Sequence, residues 1–420
     1  MTSLPLSLLP DTSEVADGRL SIGGCDAVEL AAEFGTPLFV YDEAHLRARC
    51  RQAVAAFGDG VAYATKAFLC TAMARLAHEE GMHLDVATGG ELHVALAAGV
   101  PSERLVLHGN NKSVRELKLG LGANVGRVVV DSFEELDRIE ALVDSGLRPP
   151  RVLVRVNPGV EAHTHEYLRT GNVDSKFGFG LASGAAEAVD RALSSAAMEL
   201  VGIHAHIGSQ VFVAESFAAA VEALAPFVAP LGLPELSIGG GLGVAYVAGE
   251  SAPSIPEWAA AVHGACAASH IEGRITAEPG RAIVAQAAVT LYTVGTIKEV
   301  PGVRTYVAVD GGMSDNPRPV LYGSGYEAFL PRATTADRQR PVRVVGKHCE
   351  SGDVIVSDAV VPADLEVGDV LATPVTGAYG HSMGSNYNMV LRPAVVFVAD
   401  GDARLVVRRE TYDDLLARDQ

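Results

Sequence analysis

Between about residue 60 and residue 280 the chain repeats one unit, a short β-branched run followed by a longer alanine-rich stretch with helical spacing. This repeat limits the fold more than any other feature, because strands that alternate with helices build parallel sheets with helical crossovers. The strand-like runs are 61–65, 83–87, 104–108, 127–131, 151–157, 200–207, 235–239 and 274–278. Helical spacing falls on 70–81, 90–98, 134–143, 185–195, 216–228 and 257–269. Eight consecutive units predict a closed (β/α)8 TIM-like barrel rather than an open sheet.

After Arg281 helical spacing fades, and valine-rich alternating runs (287–297, 305–309, 342–345, 353–357, 395–398 and 403–407) are set off by Gly, Pro and Asp. That texture predicts a C-terminal mostly-β domain, a sandwich or barrel. The first 35 residues are not a βα unit and are expected to join it. The expected organisation is α/β, with the barrel over 36–281 and a β domain from 1–35 and 282–420.

With 420 residues, 48% hydrophobic and 20% charged, the chain can bury one large core and a second smaller one. A formal net charge of -18 argues against nucleic acid or an anionic membrane as partner. A local arginine cluster can still serve an anionic ligand. The five cysteines, odd in number and without a Cys-x-x-Cys pair, read as reduced thiols of a cytoplasmic protein with no zinc module. The N-terminus has no basic residue ahead of its apolar stretch and does not make a signal peptide. The apolar run 218–233 is broken by Glu222, Pro226 and Pro230, so no membrane span is expected.

In such a barrel the site forms at the C-terminal ends of the strands. Those ends carry Lys66, then Asp85 with Thr88 and Glu91, His108 with Asn110, and Asn157. Further on come His204 and His206 with Ser209, the glycine-rich run 239–243, and Glu278 with Gly280 and Arg281. Partial desolvation at a strand end would free the Lys66 amine for Schiff-base chemistry, although most lysines after strands are solvated. The glycines can bring backbone N–H groups close to a phosphate; a tight strand-to-helix turn is the plainer use. His204 and His206, two apart on a strand, would share a face and could suit a metal. No third ligand is evident, so no metal is expected, and an imidazole packed flat on an aromatic ring is the better use. Glu278 could hold a pyridine nitrogen protonated and make that ring an electron sink, or simply pair with Arg281.

Tyr63-Ala-Thr-Lys66-Ala, His206-Ile-Gly-Ser209-Gln, Gly239-Gly-Gly-Leu-Gly243 and Glu278-Pro-Gly-Arg281 together resemble the signatures of the fold-type III pyridoxal-phosphate decarboxylases, with their alanine racemase-like barrel. Further motifs are His108-Gly-Asn-Asn-Lys112, Ser175-Lys-Phe-Gly178, Asp310-Gly-Gly-Met, Arg318-Pro-Val-Leu-Tyr322, Cys349-Glu350-Ser-Gly-Asp353 and Gly377-Ala-Tyr379. With these, the set is similar to the diaminopimelate decarboxylases from Gly35 to about Arg392.

The resemblance implies pyridoxal 5'-phosphate as cofactor and decarboxylation of meso-2,6-diaminopimelate, an amino-dicarboxylate, to L-lysine and CO2. It implies Lys66 bound to the cofactor aldehyde, His206 against its ring and Glu278 on its pyridine nitrogen. Ser209, Gly240, Gly241, Gly280 and Arg281 would bind the phosphate, Asp85 would support the site and Tyr379 would close over the cofactor. It also implies a homodimer with shared sites, in which Cys349 and Glu350 serve the other subunit. Cys349 is the candidate acid that protonates the product carbon, since a thiol gives up a proton readily. Arg281, Arg318, Tyr322 and Tyr379 would hold the far end of the substrate, a planar guanidinium fork suiting a carboxylate and Glu350 an ammonium. A decarboxylase of ornithine, lysine or arginine is the alternative. A racemase would be expected to place arginine where Glu278 stands, and a cofactor carrier would need no second domain. The segment 161–167 holds another His-x-His and reads as a substrate-side loop.

Overall fold

The computed structural model describes residues 6–159 and 175–420, so the expected loop 161–167 lies outside the described residues. The chain divides into two compact units, one formed by residues 49–244 and 251–282, the other by 1–48, 245–250 and 283–420.

The first unit is the barrel. Its strands are β1 (Ala62–Ala64), β2 (His83–Val86), β3 (Leu105–Leu107), β4 (Arg127–Val130), β5 (Arg151–Asn157), β6 (Glu199–His204), β7 (Glu235–Ser237) and β8 (Arg274–Thr276). Each is parallel to its neighbour in chain order. Ala62 N donates to Ala277 O at 2.9 Å and Ala64 N to Pro279 O at 3.2 Å, which joins β1 to the chain after β8. Ala62, Val106, Val129, Leu153 and Val201, one from each of five strands, form a buried apolar cluster. Strands buried on both faces read as continuous apolar runs, which is why β4 continues as Val-Val-Val after Arg127.

Helix starts follow local chemistry. Thr88 and Ser132 accept from the backbone three residues on, and Ser113 with Glu116 and Ser254 with Glu257 complete reciprocal capping boxes. The helix Val114–Ala123 is absent from the expected helices because Gly120 and Gly122 weaken its pattern. The structure explains Gly120: a Cβ there would lie 2.7 Å from Leu107 Cδ2, so the glycine lets the helix press onto β3.

The second unit is mostly β. Its main sheet runs Val354–Pro362, Arg338–Val345, Arg304–Val309, Ala288–Val300, Leu38–Asp42, Ala394–Ala399, Asp402–Val407, and Val370–Pro374 also pairs with Ala288–Val300. A three-stranded sheet covers Glu14–Ala16, Arg19–Ile22 and Cys25–Asp26. Leu20, Ile22, Leu38, Val40, Val289, Leu291, Phe329, Val396 and Val398 belong to its core.

The boundary expected at residue 36 requires correction. Leu38–Asp42 pairs with Ala288–Val300 antiparallel and with Ala394–Ala399 in parallel, and it is buried throughout. A strand hydrogen-bonded on both edges in one sheet cannot start the other unit.

Candidate active site

β1 delivers Lys66 on a single tight turn, Thr65–Ala67. Two hydroxyls fix that turn: Tyr63 Oη donates to Phe68 O at 2.6 Å, and Thr65 Oγ1 donates to Asp85 O on β2 at 2.8 Å. Lys66 is an exposed residue on this turn, flanked by buried Thr65 and Ala67. Asp85 is buried, and burial lifts its carboxyl to about 6, with His108 and Lys66 opposing and Glu278 adding to the rise. Thr88 and Glu91, which follow β2, are engaged in capping: Thr88 Oγ1 accepts from Glu91 N, and Glu91 Oε2 accepts from Ala87 N at 2.6 Å.

Glu278 follows β8 and is buried beside three polar side chains, two of which hydrogen-bond to it. His204 Nε2 lies 3.0 Å from Oε2, His108 Nε2 lies 3.3 Å from Oε1, and Ser237 Oγ donates to Oε1 at 3.0 Å. Burial alone would raise this carboxyl, yet His108 and His204 hold it well below the usual carboxylate range. Burial lowers His108 too, but Asp85 and Glu278 outweigh it and the imidazole is raised. Burial pushes His204 down to about 4 against a partial offset from Glu278. Around neutral pH the cluster therefore holds an anionic Glu278 and a neutral His204, beside a His108 whose charged form its two carboxylate neighbours favour.

Two expectations change here. Glu278 pairs with histidines rather than Arg281. His204 and His206 do not share a strand face, since β6 ends at His204 and His206 lies beyond it. His204 has the partners that its own stretch of sequence did not reveal: one ligand atom each from His108, His204 and Glu278 lies within 4.8 Å of the others. The bond and ion pair to Glu278 make this set a carboxylate clamp. His206 instead accepts at Nδ1 from Gly240 N, 3.2 Å away, which leaves the proton of the neutral ring on Nε2. Burial and the Lys66 charge hold its pKa well below the ordinary value, so the ring is neutral.

The glycines after β7 are required by backbone approach. A Cβ on Gly240 would meet Glu278 O at 2.2 Å, and one on Gly241, whose φ is +114°, would meet Gly208 O at 2.1 Å. Gly280 sits on β1, its added Cβ 3.0 Å from Ala64 O. Arg281 is buried and its Nη2 donates to Ser209 Oγ at 3.1 Å. The loops after β6, β7 and β8 thus gather Ser209, Gly240, Gly241, Gly280 and Arg281. This is a donor-rich cradle with no room for side chains, and it fits a phosphate. An anionic Glu278 fits a protonated pyridine nitrogen, and the Lys66 amine fits an aldehyde. These residues suit pyridoxal phosphate.

Arg155 on β5 escaped the sequence reading. It is buried, its Cζ stands 4.4 Å from the Phe177 ring centroid, and burial lowers its pKa against Asp131, Glu278 and Asp85. An arginine set between valines in the middle of a strand was the signal available.

In the second unit, Arg318 and Tyr322 open and close the short helix Arg318–Tyr322, four apart and so on one face. Arg318 is buried, with its Cζ 4.0 Å from the Tyr246 ring centroid and its Nη1 donating to Tyr326 Oη at 2.8 Å. Among the described residues no carboxylate pairs with it, and its buried Nε makes no hydrogen bond. Tyr246 and Tyr326, which hold Arg318 here, were absent from the sequence reading. Cys349 and Glu350 are exposed in the single chain. Their loop is pinned by Asp353, which accepts from Met313 N at 2.7 Å and from His348 N and Nδ1 at 2.9 and 2.8 Å. Tyr379 holds φ +62°, a left-handed conformation uncommon outside glycine and frequent at working sites.

A (β/α)8 barrel with a lysine after its first strand, a phosphate cradle after its last strands and a clamped acid after the eighth defines the class of pyridoxal-dependent decarboxylases. Residues 43–285 match the family model for the pyridoxal-dependent decarboxylase, pyridoxal binding domain. Across 422 aligned residues the chain is 48% identical to diaminopimelate decarboxylase of Mycobacterium tuberculosis strain H37Rv, covering 95% of this chain and 94% of that one. It is 46% identical to the Bacillus subtilis strain 168 diaminopimelate decarboxylase, with 96% and 95% covered. The crystal structure of the M. jannaschii diaminopimelate decarboxylase in complex with L-lysine superposes with a TM-score of 0.91 at 35% identity, covering 98% of each chain. The chain belongs to the diaminopimelate decarboxylase family.

Proposed function

We propose that the protein decarboxylates meso-2,6-diaminopimelate to L-lysine and CO2. The observation that carries the reaction class is Glu278, held anionic by His108 and His204. When bound, pyridoxal phosphate supplies an electron sink for the pair left behind as CO2 departs. The chain's part is binding and proton placement. Lys66 would hold the cofactor through its aldehyde. Glu278 would keep the ring-nitrogen proton in place, neutral His206 would lie against the ring, and Asp85 would support the charge balance beside Lys66. Ser209, Gly240, Gly241, Gly280 and Arg281 bind the phosphate, and Arg281 standing on Ser209 supports that use over a substrate clamp.

For the substrate, family membership is supported by the buried Arg318, whose charge has no carboxylate partner among the described residues. A buried guanidinium is costly unless an anion meets it, and the distal carboxylate of an amino-dicarboxylate does so, with Tyr322 on the same helical face. Tyr379 would close over cofactor and substrate. Glu350 pairs with the distal ammonium and the Cys349 thiol delivers the proton to the new C–H bond. Both act in the site of a second copy of the chain, a role that their exposure supports. Incubation with pyridoxal phosphate and meso-diaminopimelate should release CO2 and give lysine by mass spectrometry, with ornithine, lysine and arginine turned over far more slowly. A preference for one of those three acids would overturn the substrate assignment.

A further inference from the structure

A buried arginine is ordinarily steadied by an acid, and Arg318, 3% exposed, is steadied by two tyrosines instead. Tyr326 takes Nη1 through its hydroxyl, and the Tyr246 ring lies under the guanidinium face. The two rings pack edge to face, with centroids 5.3 Å apart and an interplanar angle of 77°. Gly325 allows this approach, since a Cβ there would stand 2.9 Å from Val247 Cγ1. The nearby carboxylates are engaged on backbone: Glu250 accepts from Tyr246 N at 2.8 Å and Glu327 from Ala248 N at 3.1 Å. With the face and Nη1 held, the Nε–Nη2 edge is the one left for a ligand, and Nε makes no hydrogen bond among the described residues. That edge offers two parallel N–H groups, the geometry a carboxylate takes in two-point pairing.

We propose that Tyr246 and Tyr326 are specificity-determining positioning residues: they orient Arg318 without neutralising it, and so reserve its charge for the distal carboxylate of the substrate. The inference rests on the reading of Arg318 given above. A phenol suits the task because it supplies a hydrogen-bond acceptor and a π face without a negative charge. An aspartate or glutamate in either place would steady the guanidinium equally well and compete with the substrate.

The chemistry provides a clean control. Loss of CO2 occurs at the reacting end, so L-lysine keeps the distal carboxylate whereas cadaverine has none. Binding of both to the cofactor-loaded enzyme is measured by calorimetry in wild type, Tyr326→Phe, Tyr246→Leu and Tyr246→Phe. Tyr326→Phe and Tyr246→Leu should weaken L-lysine about tenfold, the factor given by about 1.4 kcal/mol, and leave cadaverine within about twofold. Tyr246→Phe keeps the ring and should stay near wild type. In kinetics, KM for meso-diaminopimelate should rise about tenfold in the two affected variants with kcat little changed. Unchanged L-lysine affinity, or a parallel loss of cadaverine affinity, would overturn the proposal. Arg318→Met separates the two claims. If it weakens L-lysine while the tyrosine variants do not, only this inference fails; if Arg318→Met leaves L-lysine binding intact, the reading of Arg318 itself fails with it.

Discussion

The decisive residue is Glu278, because its charge state follows from its neighbours rather than from its type. A buried carboxyl alone would tend to protonate; two histidines and a serine hydroxyl keep it ionised. Glu278→Gln preserves shape and removes the charge, so turnover should fall on the order of a hundredfold or more. The absorbance of the cofactor bound at Lys66 should persist, and stopped-flow kinetics beside an absorbance spectrum checks both. At the opposite end of the strands, His83 at the start of β2 offers a pH test. Burial, then Arg104 and Arg127, press its pKa down to about 4 against a partial offset from Asp59. The folded pKa lies below the ordinary value of 6.5, so the stability conferred by the neutral imidazole is complete above pH 6.5. It is lost as pH falls from there towards 4. The stability difference between wild type and His83→Gln should therefore shrink by about 2 kcal/mol between pH 7 and pH 4.5, as read by urea titration at each pH.

At the scale of elements, the loops after β6, β7 and β8 act together because glycine lets them touch. The backbone at Gly240 sits against the carbonyl of Glu278, with no space for a methyl group. Gly240→Ala must displace one loop from the other, at a cost of about 1–3 kcal/mol in stability. It should also weaken pyridoxal phosphate binding at least about tenfold; equilibrium titration with the cofactor and a thermal melt read the two effects separately. The short helix Arg318–Tyr322 is a second case of local geometry: it puts arginine and tyrosine on one face, and Tyr246 and Tyr326 contact the guanidinium.

For the molecule as a whole, Cys349 and Glu350 are exposed residues on a firmly pinned loop, a combination suited to serving another subunit. Lys66→Ala and Cys349→Ala should each be close to inactive. If sites are shared in a two-fold dimer, mixing the two variants under conditions of subunit exchange should restore about a quarter of wild-type activity, because half the dimers are mixed and each has one intact site. Activity assays after mixing, with sedimentation to confirm the dimer, test this. No recovery in a verified mixed dimer would place Cys349 in the site of its own chain.

The sequence by itself determined the repeating strand–helix order, the helix caps, and the residue types at the strand ends, because these depend on steric and hydrogen-bonding rules acting over a few residues. Lys66 after β1 and the glycine run after β7 were legible for that reason. Only the tertiary structure decided who meets whom. Glu278 finds His204 across 74 positions of chain, Arg318 is cradled by Tyr246 and Tyr326, and Leu38–Asp42 joins the sheet of the second unit rather than the barrel. Such partners are chosen by long-range packing and by the electrostatics of burial, and neither is encoded in the spacing of neighbouring residues.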